Sequence, residues 1–182
     1  MRMIVETCFL LSKCMPLTED DIEEIDADCW LVTPVIDEVP VNVLKAIVKD
    51  GGKNDFVMLK PKGYTRSIGA ISLLDELTLD LSGIKAINAD NQELAALTGG
   101  LEGFAAMKFL HSSKGVKFVI FSDHSFIYLL YNDTHYWINV DIDNSDYVGA
   151  DDILSAAFCC SYTRERSFMG FLFCDCSIVC NL

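Results

Sequence analysis

Five stretches between residues 84 and 140 decide the fold class: Ile84-Lys-Ala-Ile87, Asn91-Gln-Glu-Leu-Ala-Ala-Leu-Thr98, Phe118-Val-Ile-Phe121, Phe126-Ile-Tyr-Leu-Leu-Tyr131 and Tyr136-Trp-Ile-Asn-Val140. The first three read as strand, helix and strand, with a second helix expected over 101–112. A crossover of that length lets its two flanking strands lie parallel. The last three runs are separated by four residues each, too few for a helix, so they are expected to fold back on one another as an antiparallel meander. Outward from this block, strands are expected at 30–33 and 56–59 around a helix at 41–49. Further helices are expected at 152–163 and 168–179. The pattern is that of an α/β domain with a mixed sheet, mostly parallel with an antiparallel edge, flanked by helices. No internal repeat or linker-like tract breaks it.

Composition narrows the function classes. The chain has 182 residues, 14 Lys and Arg against 27 Asp and Glu, and 51% hydrophobic residues. That apolar share builds a core and excludes a disordered or fibrous chain. The formal charge of −13 repels phosphate backbones and anionic lipid, and no basic patch offsets it, so no nucleic acid and no membrane surface is expected as a partner. Residues 18–28 carry seven acids and no base. They read as a solvated turn of helix opened by Thr18 rather than as a metal-binding cluster. The eight cysteines, Cys8, Cys14, Cys29, Cys159, Cys160, Cys174, Cys176 and Cys180, sit mostly in apolar runs without the spacing of a disulfide framework, so reduced buried thiols are expected. Cys174, Cys176 and Cys180 read as helix core sooner than as a soft-metal site. Residues 3–11 are broken by Glu6 and lack a signal-peptide cleavage site, and the apolar tail falls short of the roughly 18–20 residues that span a bilayer. A cytoplasmic location is expected.

Two segments have the residue types for chemistry. Gly149-Ala150-Asp151-Asp152 is a short turn that enters a long apolar helix, and such a turn aims backbone N–H groups at a point where an anion can sit. Asp152 is then the candidate base for a substrate hydroxyl, with the amides of residues 149–152 stabilising charge on a transferring phosphoryl group. The competing reading is that Asp151 or Asp152 only caps the helix. Asp90-Asn-Gln-Glu93 has the spacing of a capping box, with Gly99 supplying a left-handed C-terminal position. A glutamate in the first turn of a helix at the mouth of a sheet can also hold water around a magnesium ion.

Three segments in this order resemble the C-terminal, nucleotide-binding portion of the PfkB-type (ribokinase-like) carbohydrate kinases: Ile84-Lys85-Ala86 through Glu93 to Leu97-Thr98-Gly99, Val119-Ile-Phe-Ser122 with its hairpin, and Asp146-Tyr-Val-Gly149-Ala150-Asp151-Asp152 with Ala156-Ala157-Phe158. Leu59-Lys60-Pro61-Lys62-Gly63-Tyr64-Thr65-Arg66 is similar to the Asp-Pro-Gln-Gly-Phe-x-Arg stretch of archaeal-looking members. Together they cover residues 26–174.

The resemblance implies a ribokinase-like (Rossmann-like) sheet and transfer of the γ-phosphoryl group of ATP, with Mg2+, to a hydroxyl of a small-molecule sugar or nucleoside. By position Gly149, Ala150 and Asp151 match the anion hole and Asp152 the base. Glu93 matches the glutamate associated with magnesium through water, with Asp90 beside it where the family has asparagine, and Ser122 stands for a nucleotide-facing threonine. Asp151 replaces a glycine, His124 and Ile127 stand where glycines are usual, and Lys60 replaces an aspartate. Between residues 118 and 163 there are seven aspartates and no Lys or Arg, so cations for phosphate must come from elsewhere, with Lys85, Lys114, Lys117, Arg164 and Arg166 as sources. Family members are longer, and residues 1–182 are expected to form one partial ribokinase-like domain without the N-terminal sugar-binding and lid part. The alternative is a kinase-like module that keeps the fold without catalysis and serves in binding or assembly, including self-association through an uncovered sheet edge.

Overall fold

The computed structural model describes residues 14–50, 56–65, 79–122, 126–139 and 149–165. Strand β1 (Cys29–Val32) is followed by helix α1 (Val41–Asp50) and β2 (Phe56–Leu59), then a 3-10 turn at Pro61–Gly63. Next come β3 (Ala86–Ala89), α2 (Asn91–Thr98), α3 (Gly103–Lys114) and β4 (Phe118–Ser122). The described chain closes with β5 (Phe126–Tyr131), β6 (Thr134–Asn139) and α4 (Ala150–Glu165). The six strands form one sheet in the order β1 to β6. Strands β1 to β4 run parallel, and β4, β5 and β6 are antiparallel. The mixed sheet with its antiparallel edge is the arrangement expected from the connection lengths.

Local chemistry explains most boundaries. At the start of α2 the Asp90 carboxylate accepts the Glu93 N–H at 2.8 Å while Glu93 Oε2 accepts the Asp90 N–H at 3.1 Å, closing the capping box. Gly99 ends that helix at φ 70, a conformation that costs a residue without Cβ little. The β5–β6 turn has Asn132 and Asp133 at φ 48 and 57, the two-residue turn whose twist matches a hairpin. That tight turn is why β6 starts at Thr134, paired with Tyr131, two residues before the expected strand.

Elsewhere tertiary structure shifts the expectation. Strand β3 lies at residues 86–89 rather than 84–87: the Ile84 N–H closes a turn on the Leu81 carbonyl, and ladder pairing with β2 starts at Ala86 opposite Met58. The polar Asn88 stays in the strand because its amide finds partners on α4. The acidic run forms an exposed turn opened by Thr18, as expected, but closed three residues back and not continued as an α-helix. The N–H groups of Asp21, Ile22 and Ile25 bond three residues back, and Thr18 donates through both N and Oγ1 to Asp21 Oδ2 at 2.7 and 2.8 Å. Seven like charges repel one another, and only Ile22 is buried to anchor the segment. The helix expected at 168–179 lies outside the described residues.

The sheet is covered on both faces. On one, α1, α2 and α3 pack Val43, Leu44, Ile47, Leu94, Met107 and Leu110 against Val57, Leu59, Ile87 and Val119. On the other, α4 packs Leu154, Phe158 and Cys159 over Phe56, Met58, Ala86, Phe118 and Ile120. Alternation along each strand sends odd and even residues to opposite faces, so the polar residues that end β2, β3 and β4 on the α4 side meet the beginning of that helix.

Candidate functional site

Because β1 to β4 are parallel, their carboxyl ends share one edge of the sheet, where ligands bind in open α/β folds. On the α4 face of that edge the period of two continues Phe56 and Met58 to Lys60, Ala86 to Asn88, and Phe118 and Ile120 to Ser122. All three reach the first turns of α4. Lys60 Nζ lies 2.7 Å from Asp152 Oδ1, Ser122 Oγ donates to Asp151 Oδ1 at 2.8 Å, and Asn88 Nδ2 donates to the Asp151 carbonyl at 3.3 Å and to Ser155 Oγ at 2.9 Å. Ser155 Oγ donates in turn to the Asp151 carbonyl at 2.8 Å.

The ion pair is asymmetric. The Lys60 side chain is 9% exposed and that of Asp152 is 64% exposed, so a cation rises from within the protein to hold a carboxylate at the surface. Gly149 precedes the helix at φ 88, and a Cβ added there would meet nothing within 4 Å. The Asp152 and Ile153 N–H groups both bond the Gly149 carbonyl at 3.0 Å. The Asp152 amide is thus committed to the turn rather than to an anion, while the Ala150 and Asp151 N–H groups head the helix, where no intrahelical acceptor exists. Helix α4 begins two residues before the expected start, which puts Asp152 at its third position.

Glu93 is 6% exposed. Burial, aided by the charge of Asp90, pushes its carboxyl up to about 7, opposed by the hydrogen bond from the Asp90 backbone and by the charges of Lys60 and Lys62. Lys60 therefore acts on two carboxyl groups, in direct contact with the exposed Asp152 and through its charge on the buried Glu93. Gly63 seats the loop that bears both lysines: a Cβ there would lie 2.7 Å from the Pro34 backbone. Among the described residues no group of three or more His, Cys, Asp or Glu side chains is arranged to hold a metal ion.

The structure brings Gly149, Ala150, Asp151, Asp152 and Ser122 together, with Asp90 and Glu93 at the neighbouring helix start, where the Lys60 charge acts on Glu93. It corrects the origin of positive charge. Lys85 and Lys117 precede β3 and β4, and Lys114 ends α3, at the opposite edge of the sheet. Lys117 Nζ there lies 5.1 Å from the Phe118 ring centroid, and Arg164, near the far end of α4, pairs with Glu165. Arg166 and His124 lie outside the described residues. Lys60, Asn88 and Ser155 were not read as site residues from sequence. The one signal was polarity out of place: Asn88 inside an apolar strand, Ser155 inside an apolar helix, and a lysine directly after Phe-Val-Met-Leu.

No protein-family model and no curated protein matches the chain. Solved structures do. A pyrophosphate-dependent kinase in the ribokinase family, complexed with a pyrophosphate analog and myo-inositol, superposes at a TM-score of 0.81 with 18% identity, over 94% of this chain and 64% of that one. Arabidopsis thaliana ribokinase with ribose and ATP gives 0.61 and 24% identity over 86% and 50%. A Vibrio cholerae O395 fructokinase double mutant with fructose, ADP and potassium ion gives 0.70 and 11% over 91% and 56%. The chain thus has a ribokinase-like fold and spans less than two thirds of the length of these structures. No helix among the described residues is long and apolar enough to cross a membrane.

Proposed function

We propose that the chain is the donor-side portion of a ribokinase-like small-molecule kinase, transferring the γ-phosphoryl group of ATP to a hydroxyl of a sugar or nucleoside, with Asp152 as the base. The observation that carries this reading is the 2.7 Å contact of Lys60 with Asp152 beside a glycine turn at a helix N-terminus. Lys60 holds one carboxylate oxygen of a side chain that is 64% exposed, and the other oxygen takes the proton from the acceptor hydroxyl. The Gly149, Ala150 and Asp151 amides stabilise charge that develops on the phosphoryl oxygens. Ser122 draws the Asp151 carboxylate toward the end of β4, away from like charge. Glu93 and Asp90 would hold magnesium through water, since a divalent cation offsets the Asp90 charge that adds to burial in pushing Glu93 up. Bound there, magnesium supplies neutralisation of phosphate charge. The substrate-side residues belong to a part of the fold that these 182 residues do not span, so the acceptor is assigned only as a class.

The test incubates the protein with each of several sugars, nucleosides and myo-inositol, and with Mg-ATP or pyrophosphate as donor, and follows the phosphorylated product by mass spectrometry. Turnover that Asp152→Asn lowers by two or more orders of magnitude supports the reading. Turnover unchanged by that substitution overturns it.

The engaged state of Asp152 and the presence of a second carboxylate at Asp151 favour one other reading, a kinase-like module that binds without catalysis. It expects Mg-ATP or Mg-ADP to raise the Tm with no product from any acceptor. It also expects self-association through β1 or β6, which among the described residues are paired on one side only, and Trp137 on β6 is 65% exposed. Sedimentation that shows only monomer at high concentration removes that part.

A further inference from the structure

Three sulfur atoms from distant parts of the chain converge under the middle of α4. Cys159 is buried in the core on that face of the sheet, its thiol 3.5 Å from Met58 Sδ on β2. Cys29, on the neighbouring strand β1, packs half-buried against the same cluster. The β1 ladder pairs Cys29 with Phe56 and Leu31 with Met58, which puts Cys29 and Met58 diagonally on one face, below Cys159. From these placements we propose that Cys29 and Cys159 are a dithiol modification site that forms a reversible disulfide with low-molecular-weight disulfides such as oxidised glutathione.

The two thiols differ as an attacking and a resolving thiol should. Cys29 is partly exposed, and a hydrogen bond from Cys159 holds its thiol below the ordinary value, against the cost of burial. The same interaction, together with burial, pushes Cys159 up. The Cys29 thiolate attacks a sulfur of the small disulfide, forming a mixed disulfide and releasing one thiolate. Cys159 then loses its proton to solvent and attacks Cys29 Sγ, forming the Cys29–Cys159 bond and expelling the second thiolate. Two electrons and two protons leave the protein, and the small disulfide becomes two thiols. The bond would tie α4 to β1 seven residues, two helical turns, after Asp152, and so clamp the helix that presents the Gly149 turn. This inference does not depend on the proposed kinase activity.

The experiment uses the full chain with Cys14→Ser and Cys160→Ser, so that Cys29 and Cys159 are the only cysteines on the tryptic peptides 14–45 and 118–164. The protein is incubated with oxidised glutathione, quenched with acid and N-ethylmaleimide, digested without reductant and analysed by mass spectrometry. The expected result is a linked pair of these two peptides, two hydrogens lighter than their sum, which dithiothreitol separates, together with a rise in Tm of the oxidised protein that dithiothreitol reverses. Replacing Cys159 by Ala is expected to stop the reaction at a glutathione adduct on Cys29. The proposal is overturned if Cys29 is recovered alkylated by the quench, or is linked to Cys8, Cys174, Cys176 or Cys180 instead. It is also overturned if the linkage forms equally fast in unfolding concentrations of urea, because folded geometry would then have no part in it.

Discussion

Removing either partner of the Lys60–Asp152 pair should have very different consequences, because burial is so unequal across the 2.7 Å contact. In Asp152→Asn the Lys60 ammonium, on a side chain only 9% exposed, loses its counter-charge while its surroundings still withhold water. Loss of a hydrogen bond to a charged group costs roughly 1.5–3 kcal/mol, and stripping a fully buried pair of one partner about 3–5. Asp152 stands 64% exposed, water reaches the outer side of the ammonium and Glu93 still attracts it, so about 1–3 kcal/mol is expected. Lys60→Met leaves an exposed carboxylate that hydrates freely and fills the same slot with an unbranched apolar side chain, so the change should stay within about 1 kcal/mol. The double variant should resemble Lys60→Met alone, giving a coupling of about 1–3 kcal/mol, the full cost of Asp152→Asn. Urea unfolding of the four proteins at pH 7, with unchanged m-values as the check on two-state behaviour, measures all of this. A Lys60→Met cost equal to or above that of Asp152→Asn, or strictly additive effects, would refute the reasoning.

Three further outcomes are expected. Glu93 is protonated in the fold at a higher pH than in the unfolded chain, about 7 against 4.5, so its contribution to stability is complete below 4.5 and is lost as pH rises through 7, on the order of 3 kcal/mol in all. Glu93→Gln keeps the capping acceptor, and the stability difference between wild type and variant should fall over that window; a flat difference across it counts against the assignment. Gly149→Ala meets no atom but must hold φ at 88, costing about 1–2 kcal/mol, whereas Gly63→Ala drives a methyl group into the Pro34 backbone at 2.7 Å and should cost about 1–3 kcal/mol while displacing the loop of Lys60; thermal melts of both decide it. Asn88→Ala removes both side-chain bonds to the start of α4 and should cost about 1–3 kcal/mol, and relative to wild type it should speed amide exchange at Asp152 and Ile153, which bond the Gly149 carbonyl, more than at Phe158; an equal change along the helix would contradict it.

The fold was largely legible in the sequence where local chemistry governs it. Asp90, Glu93 and Gly99 specify both ends of α2 within ten residues, and the short connections around β5 make an antiparallel meander unavoidable. Legibility failed where a segment's fate depended on partners far along the chain. Asn88 looks like the end of a strand until Ser155 is brought against it, and the acidic run looks like a helix start until its lack of buried anchors is counted. At the candidate site the turn at Gly149 and its two aspartates could be read directly, as could the capping pair. Their dependence on Lys60 could not. A lysine after a strand is ordinarily a solvated cation, and the basic residues that did attract notice, Lys85, Lys114 and Lys117, prove to sit at the other edge of the sheet.

The sequence alone therefore determined the elements, the parallel-then-antiparallel order and the turn that faces the carboxyl ends of the strands, because capping, glycine conformations and connection lengths act over a few residues. Tertiary structure alone decided which charge meets which. Lys60 and Asp152 are 92 residues apart, and only the parallel register of β2, β3 and β4 beneath α4 sets a buried ammonium against an exposed carboxylate and, two helical turns further on, the Cys159 thiol against the Met58 thioether. Interactions of that kind depend on distance and burial in space, and no spacing along the chain encodes them.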